Sequence, residues 1–242
     1  MDRREFLHSI LAAPVFSPLL TPPQSGFEHG AIHLISDRPR FDILPFLEKY
    51  RKFAGSGMNS FAFINPDTHS NDLAPVLSRN GWTAAGRPEN ARVVFSFHRL
   101  KQKSLPSATL VQNGRIVDIR SWLRAPLLRP HRESRPSSLL TIASFAGIYP
   151  AGKAGESVSL YMNGRKILQS PLNKNTTHII PAKKGHIAVK IDRRRAWIQA
   201  SPCPNKICTS TPPVSMAGER IICAPNHFLL EVQGRGVDTV IG

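Results

Sequence analysis

Three cysteines carry the most legible chemistry in this 242-residue chain. They sit in Ser201-Pro202-Cys203-Pro204-Asn205-Lys206-Ile207-Cys208 and in Ile221-Ile222-Cys223-Ala224-Pro225-Asn226. Residues 1–202 contain no cysteine, and Cys-x-x-Cys occurs nowhere. Thiol–disulfide exchange needs an attacking thiolate, so the first two hundred residues cannot form a dithiol oxidoreductase. A tetrahedral zinc site needs about four Cys or His ligands in close pairs. His227, four residues beyond Cys223, is the candidate fourth ligand. In an oxidising compartment a disulfide between two of the three is favoured over that set, and neither a metal nor a cofactor is expected. Cys203–Cys208 is the first expectation for the bond and Cys208–Cys223 the second. Either would contribute about 2–4 kcal/mol and leave one thiol over. A redox switch built on the same three residues is the sharper alternative.

Other catalytic machinery does not show. No His-Glu-x-x-His, Gly-x-Ser-x-Gly or P-loop occurs. Asp67, His69 and Asp72 cluster after an apolar run and read as a solvated turn. Gly152 and Gly155 read as a loop. The expectation is therefore a protein that is not an enzyme.

Charge suggests what such a protein would meet. Lys plus Arg number 32 against 16 for Asp plus Glu, a net +16. Residues 151–242 hold +8 of it, so the charge is spread along the chain and not gathered in a tail. Such a field draws phosphates and anionic surfaces. Arg193, Arg194 and Arg195 are the candidate anion-binding residues. The expected partner is another exported protein or an anionic surface, and nucleic acid is the second candidate.

The elements that must position the cysteines follow from pattern. Twenty-one prolines and sixteen glycines imply short elements and many turns. At the N-terminus, Arg3 and Arg4 precede Phe6 and Leu7 and then a moderate apolar stretch broken by Pro14 and Pro18. This order resembles a twin-arginine export signal, which implies a periplasmic, envelope or secreted location where a disulfide is permitted. No apolar run approaches the roughly 18 residues of a membrane span.

From residue 28 to 128 the pattern alternates. Ala31–Ile35, Asn59–Ile64 and Arg92–Phe97 read as strands. Phe41, Leu44, Phe46, Leu47 and Tyr50 recur at helical spacing, and a second short helix runs through Leu73, Val76 and Leu77, capped by Ser70 or Asn71. Ala108–Val111 and Arg115–Ile119 flank Asn113-Gly114, a hairpin turn. The order resembles a thioredoxin-like fold, with Pro106 before a strand and the Asn-Gly hairpin after it. Phe46–Tyr50, Phe63-Ile64-Asn65-Pro66-Asp67 and Leu73-Ala74 look more like the non-catalytic thioredoxin-like domain of GldG-type proteins.

Residues 129–153, rich in proline and arginine, read as an extended linker, with Leu139–Ile148 as a strand or packing segment inside it. From 154 to 242 the pattern is all-β. Val158, Leu160 and Met162 alternate before the Asn163-Gly164 turn. Ile187, Val189 and Ile191 alternate before a second turn at Asp192–Arg195. Pro202-Cys203-Pro204, Cys208, Ile222-Cys223-Ala224-Pro225-Asn226 and Leu230-Glu231-Val232 resemble the NusG domain II family, and that resemblance implies a small barrel. The expected whole is an α+β chain of two domains behind a signal segment at 1–27. A thioredoxin-like α/β sandwich without Cys-x-x-Cys comes first, and a small all-β barrel of the NusG domain II type follows. Its expected role is an exported, non-enzymatic, two-module binding or accessory protein.

Overall fold

The computed structural model describes residues 30–54, 59–64, 66–112, 115–117, 135–145 and 153–234. The export segment 1–27, the Asn113-Gly114 turn, and residues 129–134 and 146–152 of the expected linker lie outside them. No described helix is long and apolar enough to cross a membrane.

The N-terminal unit is a seven-stranded sheet. Its strands are β1 (Gly30–Ile35), β2 (Ser60–Phe63), β3 (Thr83–Ala84), β4 (Val93–Ser104), β5 (Ser107–Gln112), β6 (Arg115–Val117) and β7 (Ser137–Phe145), in the order β3-β2-β4-β7-β1-β5-β6. β2 runs parallel to β3 and β4, and the other ladders are antiparallel.

Three helices attach to this sheet: α1 (Pro39–Asp42), α2 (Leu44–Ala54) and α3 (Thr68–Arg79). Asp67, not Ser70 or Asn71, caps α3. Its carboxylate accepts from the backbone of His69 and Ser70, while Ser70 Oγ accepts from the Asp67 amide at 2.5 Å. This closed capping box occupies amides that the helix itself cannot pair. The apolar side chains Ile43, Phe46, Leu47, Leu73 and Leu77 pack on Ile32, Leu34, Phe61, Phe95 and Phe145.

β1 is buried along its whole length, which explains a sequence that is apolar but for His33. Ile32 and Leu34 face the helices, while Ala31 and Ile35 join Leu100, Leu140 and Ile142 in a second cluster. Ile207, from the far end of the chain, packs on that second cluster. The C-terminal unit therefore covers the sheet face that the helices leave open.

That unit contains two sheets. One has the order β10-β11-β12, from Thr176–Ala182, Gly185–Asp192 and Arg195–Ala200. The other has the order β13-β14-β8-β9, from Arg220–Cys223, Phe228–Gln233, Ser157–Met162 and Arg165–Pro171. Val158, Leu160, Ile187, Val189, Phe228 and Leu230 fill the space between them. A short helix, α4 (Ile207–Ser210), lies in the connection from β12 to β13.

These observations correct the expected fold class. The described residues are mostly strand, and neither a thioredoxin-like α/β sandwich nor a closed barrel forms. Two physical reasons account for the difference. β7, which falls within the stretch expected to be a linker, pairs with both β4 and β1 and lies at the centre of the first sheet. In the C-terminal unit, no ladder among the described residues joins the two sheets, so their edges do not close into a barrel. β10 is absent from the strands expected from sequence. Its Pro181 interrupts an otherwise β-branched run, and the strand is accordingly an edge.

Candidate functional site

The loop from Ser201 to Thr211 folds back on itself around polar backbone contacts. The Cys203 amide donates to Ser201 Oγ at 3.2 Å, and Lys206 Nζ donates to the Ser201 carbonyl. Lys206 takes the left-handed conformation, with φ 51°, and turns the chain into α4, which carries Cys208. The Thr211 hydroxyl closes that turn on the Ile207 carbonyl at 2.9 Å. Cys223 arrives from the end of β13. A single 3-10 turn, Ala224–Asn226, then brings Asn226 Nδ2 back to within 3.1 Å of Cys223 Sγ. Ser201 Oγ lies 3.4 Å from the same sulfur.

The result is a cluster of three buried sulfurs, all within 4.8 Å of one another. All three cysteines are free, so neither expected disulfide joins them. Their acidities diverge. Cys223 is pulled well below the ordinary thiol range, chiefly by the Cys208 S–H donated to it and then by Asn226 and Ser201, against the effect of burial. Cys208 is pushed up, because it donates to Cys223 and is buried. Cys203 is pushed up by burial and by the neighbouring Cys223 charge. Of the three, Cys223 is therefore the sulfur whose ionised form the surroundings favour most.

The cysteines form one wall of a cavity of about 160 Å³. Its opposite wall comes from the seven-stranded sheet: His33 and Ile35 of β1, Ser107 and Thr109 of β5, and Leu140 of β7. His33 is a neutral imidazole. Burial first, then Arg220 and His98, lower its pKa to about 3. Its Nε2 has no hydrogen-bond partner among the described residues. Arg220 also lines the cavity and is held by Glu231, with Nε 2.7 Å and Nη2 2.5 Å from Oε1.

The other candidate residues lie elsewhere. Arg193, Arg194 and Arg195 are exposed on the β11–β12 turn, where Arg193 and Arg194 have φ of 49° and 59°. The Arg193 amide donates to Asn175, and the Arg194 guanidinium donates to the Gly155 carbonyl at 3.2 Å. None of the three lines the cavity. His227 is exposed and does not join the sulfur group. Asp67 is a helix cap, and the His69 ring packs on Phe97 at 5.7 Å, so that cluster is structural. Arg3, Arg4, Phe6 and Leu7 lie outside the described residues.

Sequence reasoning missed Ser201, Asn226, Arg220 and the whole opposite wall. A single signal was available: His33 stands alone in the apolar run Ala31-Ile32-His33-Leu34-Ile35, where a polar ring needs a reason.

Comparison with known proteins concerns the C-terminal part. Residues 138–236 match the family model of NusG domain II, a span that begins inside β7. A DUF1312 family protein from Ruminococcus gnavus ATCC 29149 is 28% identical, with a TM-score of 0.30 over 32% of this chain and 97% of that one. Lin0431 from Listeria innocua is 23% identical, with a TM-score of 0.31 over 33% of this chain and 97% of that one. A DUF1312 family protein from Enterococcus faecalis V583 is 20% identical, with a TM-score of 0.32 over 33% of this chain and 98% of that one. No curated protein matches the chain.

Proposed function

We propose that this chain is an exported, non-enzymatic accessory protein whose working site is the thiol-lined cavity between its two units. One observation carries the reading: three buried sulfurs within 4.8 Å face a cavity whose far wall belongs to the other unit. A structural staple needs two cysteines and one unit. This arrangement uses three cysteines and both units. Its size admits a small thiol-seeking ligand. Export follows from the resemblance of Arg3, Arg4, Phe6 and Leu7 to a twin-arginine signal. The exposed Arg193 and Arg195 and the basic charge suit a partner with an anionic surface.

Thiol reagents of two sizes test the cavity. In the reduced, folded full chain a small uncharged reagent reacts, and a bulky one reacts only after denaturant is added. Failure of the small reagent below the unfolding transition overturns the reading. Cell fractionation tests export. Wild type leaves the cytoplasm, and the chain with Arg3 and Arg4 both replaced by Lys remains there. Cytoplasmic location of both overturns export.

The Cys223 thiolate favours a second reading, a redox accessory protein. The thiolate would attack a small disulfide and expel one thiolate. Cys208 or Cys203, after losing its proton, would displace the second and leave a Cys–Cys bond. Rapid cycling of one pair by a small disulfide and a dithiol would favour this reading over ligand binding.

A further inference from the structure

The donor set defines a ligand more narrowly than its size does. Three sulfurs converge, and no histidine or carboxylate among the described residues joins them. A metal–sulfur bond of about 2.3 Å would place the sulfurs of a three-coordinate ion about 4 Å apart, compatible with the observed limit. Structural zinc closes with four ligands, and catalytic zinc keeps water on the fourth position. Here the opposite wall is mixed, with Ile35 and Leu140 beside His33, Ser107 and Thr109, but no histidine or carboxylate among the described residues comes within the 4.8 Å group of the sulfurs, so the fourth ligand of a closed zinc site is missing. Thiolate-only sites select soft ions.

We propose that Cys203, Cys208 and Cys223 bind one monovalent copper ion, Cu(I), in a three-sulfur site. This rests on the reading of the cavity as a binding site and names its ligand.

The protons balance simply. Each sulfur bonds the ion as a thiolate, and every cysteine that is protonated gives up its S–H proton to solvent as it does so. Binding therefore releases protons, up to three per copper. The metal does not change oxidation state, because it arrives as Cu(I). The three-thiolate complex is anionic. Arg220 on the cavity wall and Lys206, bonded to the Ser201 carbonyl, supply nearby positive charge. Asn226 and Ser201, which already contact Cys223 Sγ, serve as outer hydrogen-bond donors that hold its sulfur in place.

The test uses the reduced full chain without oxygen, with Cu(I) supplied against a chromogenic Cu(I) chelator. One ion per chain, an X-ray absorption shell of three sulfurs without nitrogen, and about 100-fold or greater weakening in Cys208→Ser and Cys223→Ser are expected. His227→Gln, at an exposed position outside the sulfur group and the cavity wall, should retain full stoichiometry. The absorption shell is measured on wild type, so a cysteine variant that fails to fold leaves the test intact. A shell containing nitrogen, or Zn(II) displacing Cu(I) at equal concentration, overturns the three-sulfur copper site. If the chelator strips all copper while small reagents still reach the folded thiols, the copper assignment falls and the cavity reading stands. If the folded thiols neither bind copper nor react, both fall.

Discussion

At the residue scale, the unusual groups are a buried cysteine with lowered pKa and a buried neutral imidazole, and each has a stated cause. The pKa of Cys223 is lowered because three donors, Cys208, Asn226 and Ser201, converge on one sulfur. Removing one of them should undo part of that. Asn226→Ala should raise the Cys223 pKa by about one unit, since a hydrogen bond to a charged group is of that order. Thiolate absorption followed through a pH titration reads the shift directly, and an unchanged or lowered midpoint contradicts the assignment. His33 works in the opposite sense on stability. Its folded pKa, about 3, lies below the ordinary value of 6.5, so the unfolded chain binds the proton more readily. Stability is therefore full above pH 6.5 and declines as pH falls toward 3. His98, also lowered by burial, adds to the same slope. The denaturant midpoint should fall between pH 7 and pH 4 in wild type, and fall distinctly less in His33→Leu. Equal slopes would mean that His33 is not buried as a neutral ring.

At the element scale, short helices depend on their ends and the central strand depends on its neighbours. Asp67 pairs the first amides of α3, a helix that also carries an internal Pro75. Asp67→Ala should destabilise the fold by about 1–2 kcal/mol in a denaturant titration, leaving the thiols unaffected. A loss below a few tenths would show that the capping box is dispensable. The cap was legible as a short polar run before apolar residues at helical spacing, although Asp67 and not Ser70 proved to be the capping residue. β5 and β6 were legible from alternation around Asn113-Gly114, and they pair in register. β7 was legible as an apolar run, but its place between β4 and β1 was not. No local pattern in Ser137–Phe145 says which strands it will separate, because that choice depends on the apolar surfaces of strands dozens of residues earlier. β10 was hidden by Pro181, whose cost is small only because the strand is an edge.

At the scale of the whole molecule, the two units share a buried face. Leu140 stands in it, in the cluster with Ala31, Ile35 and Leu100, and in the cavity wall opposite the cysteines. Leu140→Ala should cost about 2–4 kcal/mol by leaving a void, and should admit larger thiol reagents to the folded protein. Loss of stability without faster thiol modification would separate Leu140 from the cavity. The same shared face explains why the basic β11–β12 turn tells nothing of this site. Arg193 to Arg195 sit in solvent, where local charge is readable, whereas the cavity forms only when both units close on it.

The amino-acid order alone determined the local elements, because alternation, helical spacing and turn residues act over a few neighbours. It also supplied the three cysteines and ruled out a Cys-x-x-Cys mechanism. What only the tertiary structure decided is that the three sulfurs meet, that they meet as free thiols, and that His33 and Leu140 face them. Those relations join cysteines 5 to 20 positions apart, and join them to residues sixty to nearly two hundred positions away. They are set by which apolar faces bury one another, a property of the packed chain that no stretch of it contains.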